Sequence, residues 1–384
     1  MKGVNHHSMN ESNKYLVLRA ISMFGPCSRT QLCEHTQLSK MTITNLVNEY
    51  IRQGVVEESG KIETAAGRRA GLLRIVPDSL LTLGVFVERG FTEIGMVNLN
   101  GSILRSERFE ISPTEAADEF MDTILHICTK LVNDEWKDRI WGIGISAPGP
   151  LDPERGIILE PPGGFKGLVN IPIGEVLYKA FGIPTYLELG THVGALSELY
   201  YGNKQGYTNF LYMILNEWIG GCVVSDQKVW QGASGLAGLM GGMVVDRDSL
   251  GKKSMSGCLQ EYASISALIE YARENGGDPD ITWNEIVSKA RHGDGFACTV
   301  IDRLLRYLET SLISAIALLD IQCIYISGSA LLGEDLIIPR LQESINRLMF
   351  APDTRYVNVL AARYPINAEL IGITALVMER HFER

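Results

Sequence analysis

The 384-residue sequence predicts a small α+β head followed by a larger two-lobed α/β body. Three patterns predict it. Residues 28–54 read as two short helices around a tight turn. Two strand-like runs flanking a loop with paired arginines come directly after. From residue 80 onward the order is β-β-β-α-β, with further strands and helices behind it.

In the head, Ser28 caps a first helix whose inward residue is Leu32. The chain turns at Thr36-Gln37-Leu38, and Ser39 caps a second helix running to Gln53. Ile43, Leu46, Val47, Tyr50 and Ile51 form its one-sided apolar stripe. Its other face carries Ser39, Lys40, Thr42, Thr44 and Asn45, short donors and a cation suited to phosphates and base edges. A preceding helix, Tyr15 to Phe24, supplies Leu16, Leu18, Ile21 and Met23 to the core. An ordinary helical hairpin with a solvated face has the same pattern, so the adjoining strands decide between the two. Val55-Val56-Glu57-Glu58 and Leu72-Leu73-Arg74-Ile75 are strands around a loop with Lys61, Gly67, Arg68 and Arg69. This is the layout of a winged helix-turn-helix over residues 13–76, behind a flexible tail at 1–12. Ser28, Arg29, Thr30, Ser39, Lys40, Thr42, Thr44, Asn45, Arg68 and Arg69 are the expected contacts to double-stranded DNA.

The charge distribution agrees. The chain carries a net −10, yet residues 1–75 hold ten Lys/Arg against six Asp/Glu. A basic head on an acidic body confines phosphate attraction to the head. Seven cysteines, at 27, 33, 128, 222, 258, 298 and 323, form no Cys-x-x-Cys pair, which suggests reduced thiols in a cytoplasmic protein. The start, MKGVNHHSMNESNK, lacks the apolar core of a signal peptide, and no run of roughly 18 apolar residues suggests a membrane span.

In the body, Pro77-Asp78-Ser79 reads as a hinge. Three strands lie within residues 80–111, with Asn100-Gly101 as the hairpin signal between the second and third. A helix over about 113–133 and an apolar strand, Ile140 to Ile145, complete the half-unit of a ribonuclease-H-like fold. In sugar kinases two such lobes close on a ligand. Helices at 260–275, 302–320 and 336–348 and strands at 322–326 and 357–361 belong to a second lobe. A last helix, Ala368 to Arg380, is expected to pack back on the first, an expectation carried by resemblance to a known family and not by spacing. The expected boundaries are 80–198 with 368–384 for the first lobe and 199–367 for the second.

Residues 142–156, GIGISAPGPLDPERG, are similar to the signature of the ROK family of repressors, uncharacterised reading frames and sugar kinases. Asn170-Ile171-Pro172, Phe181-Gly182-Ile183-Pro184 with Glu188, Gly232-Ala233-Ser234-Gly235, Gly257-Cys258-Leu259, Ile326-Ser327-Gly328 and Leu370-Ile371-Gly372 continue in the family's order. The head resembles that of ROK repressors, and Gly67-Arg68-Arg69 stands where their wing carries Gly-Arg.

Against that resemblance the departures are chemical. The first phosphate turn has Phe86 in place of Asp and Glu88 in place of a glycine. The second reads Asn216-Glu217-Trp218-Ile219-Gly220-Gly221 where bare amides cradle nucleotide in the family. The catalytic motif is Glu188-Leu189-Gly190-Thr191-His192, with Gly190 where the kinases place their base. Leu239 and Gly242 replace a sugar-binding Glu and a zinc-binding His, and Gly251, Lys253 and Cys258 stand at the zinc cysteines. No metal, no cofactor and no enzymatic activity are expected.

The resemblance therefore implies a DNA-binding transcriptional regulator, a repressor of carbohydrate-utilisation genes. Its body would bind a sugar or sugar-derived effector and form a homodimer or tetramer. Gly164, Asn170, Glu188 and His192 are the expected effector contacts. Three alternatives stay open: an active carbohydrate kinase with a vestigial head, a scaffold that needs no ligand, and a regulator controlled by a transport protein.

Overall fold

In a computed structural model of the chain, the structure describes residues 6–63, 69–112, 116–132, 135–159, 169–251 and 255–382. The head comprises α1 (His6–Phe24), β1 (Cys27–Ser28), α2 (Arg29–Thr36), α3 (Lys40–Arg52), β2 (Val56–Glu63) and β3 (Arg69–Ile75). Both helix starts form as their side chains dictate. Ser28 and Gln31 close a reciprocal capping box, and Ser39 accepts from the Thr42 amide. Gln37 adopts a left-handed conformation that turns the chain between α2 and α3. Leu18, Ile21, Leu32, Ile43, Leu46, Val47, Tyr50 and Leu73 are buried. Val17 and Ala20 fill inward places expected of Leu16 and Met23, which are half-buried.

The flexible tail expected at 1–12 is corrected over 6–12, because α1 begins at His6, and residues 1–5 lie outside the described residues. No proline or glycine interrupts 6–14, and Lys14 binds both Glu11 (3.3 Å) and Glu49 on α3 (3.0 Å). These pairs fix a polar turn that carries no apolar signal. In the wing, β3 pairs antiparallel with both β1 and β2, aligning Cys27 with Leu73 and Val56 with Ile75. Gly67 and Arg68, expected between the two strands, lie outside the described residues. The residues expected as a hinge are hydrogen-bonded to the first lobe. Pro77–Ser79 is a 3-10 turn tied by Leu99 N to Pro77 O (3.0 Å), Asn98 Nδ2 to Asp78 Oδ1 (2.7 Å) and Arg139 to Asp78 O (3.0 Å).

The body begins with β4 (Leu81–Glu88), β5 (Phe91–Asn98), β6 (Ile103–Glu110), α4 (Ala117–Leu131) and β7 (Ile140–Ala147). The two-residue strands β8 (Leu151–Asp152) and β9 (Ile157–Ile158), then α5 (Ile173–Phe181), β10 (Thr185–Leu189) and α6 (Gly190–Ser197), complete this stretch. A π-helical turn, Glu198–Gly202, comes after α6. The sheet order is β10-β7-β4-β5-β6, parallel in its first three strands and antiparallel beyond.

Residues 202–366 form a second compact unit. It contains β11 (Phe210–Leu215), β12 (Ile219–Ser225), β13 (Lys228–Val229), α7 (Leu259–Ala263), α8 (Ile265–Glu274), α9 (Trp283–Arg291) and α10 (Gly295–Leu319). Beyond these lie β14 (Cys323–Ser327), α11 (Glu334–Leu348) and β15 (Asn358–Ala361). Its sheet order, β13-β12-β11-β14-β15, repeats the mixed pattern of the first. The single helix expected at 260–275 is divided at Ser264, whose hydroxyl caps α8. α9 opens on a capping box formed by Thr282 and Glu285.

α12 (Ala368–His381) then returns to the first unit, which spans 1–201 and 367–384 and thus includes the head. It lies on a face of β4 and β7 cleared by glycines. A β-carbon at Gly84 would come 2.7 Å from Leu370, and those at Gly142 and Gly144 would collide with Val377 and Ile373. Leu370, Ile373 and Val377 fill that face and are fully buried. Among the described residues no helix is long and apolar enough to cross a membrane.

Candidate nucleic-acid interface and effector residues

α3 separates its two faces cleanly. Ile43, Leu46, Val47 and Tyr50 are buried, whereas Ser39, Lys40, Thr44, Asn45 and Asn48 are exposed. Thr42 is half-buried, its hydroxyl 2.9 Å from Ser39 Oγ. Thr44 donates to the Lys40 carbonyl (2.7 Å), which fixes its rotamer and leaves its oxygen lone pairs and methyl outward. The helix start thus presents free amides, short hydroxyls, a cation and a carboxamide on one surface. Sequence reasoning missed Met41, which is 75% exposed on the same first turn. An unpacked thioether among polar donors suits a thymine methyl. Its signal was position: it falls off the apolar stripe.

At the start of α2, Thr30 is exposed and Ser28 Oγ is spent on its own cap. Arg29 is held across the head, 2.7 Å from Glu58 of β2 and 3.4 Å from Asn48 of α3. It ties the wing to the helix pair. Arg69 begins β3, and Arg68 lies outside the described residues.

The expected effector residues divide. Gly164 lies outside the described residues. Asn170 is exposed in a left-handed conformation (φ 55°), its amide donating to Leu159 O. Glu188 and His192 do come together, but facing inward. Glu188 is 5% exposed, and its Oε1 accepts from the Leu189 amide and lies 3.0 Å from His192 Nδ1. Its Oε2 accepts from Arg380 of α12 at 2.9 Å. Both oxygens of Glu188 are therefore engaged within the protein, Oε1 at the start of α6 and Oε2 on α12. Burial pushes its pKa up, but His192, the Leu189 amide and Arg380 outweigh this and hold it below the ordinary carboxylate value. His192 is 1% exposed, and its Nε2 finds no hydrogen-bond partner among the described residues.

Position 190 explains more than the missing base. A β-carbon on Gly190 would lie 3.6 Å from Ser146 Oγ and 3.9 Å from Glu369 Cγ. Glu369, at the start of α12, was not singled out from sequence. Burial, and behind it the charge of Glu88, push its carboxyl up to about 7 against a bond from its own amide. Phe86 is buried edge-on to Phe91, with ring centres 5.6 Å apart. Phe86 offers no ligand where the family places a metal-holding Asp, and the Glu88 carboxylate would repel a polyphosphate where the family leaves an open amide, so this turn does not fit a magnesium–polyphosphate.

Glu369 gives a pH prediction. Its folded pKa lies above its ordinary value of 4.5, so the folded state binds the extra proton between about pH 4.5 and 7. Stability should fall as pH rises through that window, by on the order of 1–3 kcal/mol for this group. Urea titrations at pH 5 and pH 8 check it. Glu369→Gln should be the more stable protein at pH 8, and a wild-type advantage there would reject the assignment.

In the second unit, Glu217 and Trp218 are exposed at the β11–β12 turn, and Asn216 Oδ1 accepts from the Ser329 amide at 2.7 Å. Gly221 survives for packing, since a β-carbon there would meet Met240 Cγ at 2.5 Å. Cys258 is buried, Gly242 and Gly251 bring no donor, and Lys253 lies outside the described residues. That set does not fit zinc.

The model of the ROK family matches residues 83–380, and that of the MarR family residues 9–70. A xylose repressor of Caldicellulosiruptor bescii is 24% identical over 389 residues, covering 97% of each chain. Among solved structures, a ROK family transcriptional regulator described as a homologue of the E. coli MLC protein superposes with TM-score 0.80. It is 24% identical and covers 98% of this chain and 97% of its own. A ROK family glucokinase from Streptomyces griseus, in complex with glucose and AMPPNP, has TM-score 0.66 and 25% identity. It covers 77% of this chain and 98% of its own.

Proposed function

This chain belongs to the ROK family, and on that premise we propose that it is a DNA-binding transcriptional regulator, a repressor of carbohydrate-utilisation genes. One observation carries the reading: α3 is seated by its apolar stripe and presents Ser39, Lys40, Thr44 and Asn45 outward at a capped helix start. α3 enters the major groove, where its first turn meets bases and phosphates. The wing arginines, Arg68 and Arg69, reach the backbone or minor groove. The family and the head's likeness to the MarR family support it, as does a relative named as a repressor. The protein is cytoplasmic and works as a homodimer or tetramer, which repeats the head at a set half-site spacing.

The body acts without catalysis. Gly190 offers no base, and Phe86, Glu88 and Glu369 disfavour a nucleotide. It binds a sugar or sugar derivative whose contacts include Gly164 and Asn170. A second reading, a body that serves as a scaffold without a ligand, is favoured by the inward engagement of Glu188. Thermal-shift screening of sugars separates the two, since a ligand of the folded state alone raises the melting temperature. A coupled assay showing sugar-dependent ATP turnover, lost on substitution of Glu369, would overturn the non-catalytic reading.

The deciding experiment is binding to the DNA upstream of the chain's own gene, titrated with salt. A specific complex that weakens steeply with salt supports a regulator. No retention of any DNA in a genome-wide capture would defeat it. On an operator so found, Met41→Ala should cost about 1 kcal/mol at one thymine-bearing position and little elsewhere. An equal loss over all positions would deny Met41 a reading role.

A further inference from the structure

The face of α1 turned away from the head core carries Tyr15 and Arg19, four residues apart and hence one above the other. Both meet the first lobe. Tyr15 OH lies 2.9 Å from Tyr200 OH, in the π-helical turn after α6, and donates to Glu379 Oε1 of α12 at 3.1 Å. Tyr200 OH reaches the same oxygen at 3.1 Å. The Arg19 guanidinium sits 5.9 Å from the Tyr15 ring centre and 5.6 Å from that of Tyr200, and Arg19 is 7% exposed. Phe382 packs 6.3 Å from Tyr15, then against Trp141, whose indole donates to Thr82 of β4. The cluster is rooted in the central strands of the first lobe.

Apolar contact alone lets a small domain settle at many angles. A half-buried carboxylate that accepts from two phenols, beside the buried Arg19 and Tyr200, does not, because rotation would strand those desolvated polar groups. Glu379 is also adjacent to Arg380, which holds Glu188 just before α6. Neighbouring residues of α12 therefore grip α6 from both sides: Arg380 through the residue pair that precedes it, Glu379 through the turn behind it. A rearrangement at the start of α6 reaches the head through a single turn of α12.

We propose that Tyr15, Arg19, Tyr200 and Glu379 are positioning residues that seat the head on the first lobe at a fixed angle. In an oligomer this seat selects one spacing between DNA half-sites. The inference rests on the DNA-binding function proposed for the head and adds the element that turns lobe geometry into operator spacing.

The test uses the full chain with Tyr15→Phe and Glu379→Gln, each of which keeps shape and removes a bond or the charge. Binding is measured to a single half-site, to the operator, and to an operator lengthened by five base pairs. The variants should bind the single half-site within about twofold of wild type, while the preference for the natural spacing drops about tenfold. Hydrogen exchange without DNA should show about tenfold faster exchange in α1, with β4 and β7 unchanged. An unchanged spacing preference would overturn the proposal. So would an equal loss on the single half-site, which would mean that the cluster only stabilises the head. If wild type binds no DNA, the functional reading has failed by itself. The exchange experiment still decides the seat, and unchanged protection of α1 in both variants would refute it.

Discussion

Replacing Gly372 with alanine is expected to destabilise the chain strongly. Gly372 sits where α12 crosses α6, and a β-carbon there would land within the Val193 carbonyl, with Ser197 N at 3.1 Å. The obstacle is helical backbone on both sides, so no side chain can swing clear. Overpacking against movable side chains costs about 1–3 kcal/mol, and an immovable carbonyl places this site at or above the top of that range. Gly242→Ala is the control, since no described atom lies within 4 Å of its added carbon. Urea unfolding should show Gly372→Ala weaker by about 3 kcal/mol or more, with Gly242→Ala within about 0.5 kcal/mol of wild type. A midpoint for Gly372→Ala equal to the control would mean that α6 and α12 do not pack backbone to backbone at this crossing.

The second large effect falls on DNA. The side chains of Lys40 and Asn45 are exposed on α3, away from its buried stripe, so their removal should leave folding alone. Asn45→Ala should cost about 1–3 kcal/mol, roughly 10- to 100-fold in affinity, concentrated at one base pair. Lys40→Ala should weaken all sequences alike and lower the salt slope by about one. Fluorescence anisotropy against operator and scrambled duplexes at several salt concentrations reads both signatures. If Asn45→Ala weakened the scrambled duplex as much as the operator, it would be a backbone contact and the docking of α3 would need revision.

Much of the fold was legible because its determinants are local. Ser28 and Ser39 cap the helices that they were expected to cap, and the stripe from Ile43 to Tyr50 is the buried face of α3. The β-β-β-α-β order comes from alternation and amphipathic spacing, whereas the return of the last helix, buried nearly all round, was implied by the family resemblance. What escaped was non-local. The polar start of α1 is held by Lys14 reaching Glu49, a partner far away in sequence. Arg29 binds Glu58 and Asn48, partners that no local pattern supplies. Glu188 and His192 stand four apart, which shows that they can meet but not which way they face; Arg380 decides that. Some of the loss was avoidable. Thr282 and Glu285 spell a capping box, so α9 was readable, as was the break at Ser264 before a second capped helix.

The glycine-cleared face that receives α12 also sets the order in which the protein can be built. The ribosome delivers the head first, then β4 to β10 and α6, but the helix that covers β4 and β7 comes only after residues 202–366. At about 5–20 residues per second, that interval lasts roughly 10–30 s, during which Gly84, Gly142 and Gly144 border an open apolar trench. Glu379 arrives with the same helix, so a newborn head has its recognition surface before it has its seat. A nascent chain halted before residue 368 should therefore be a sticky, protease-sensitive species, one that can touch DNA without the fixed posture that only the finished chain supplies.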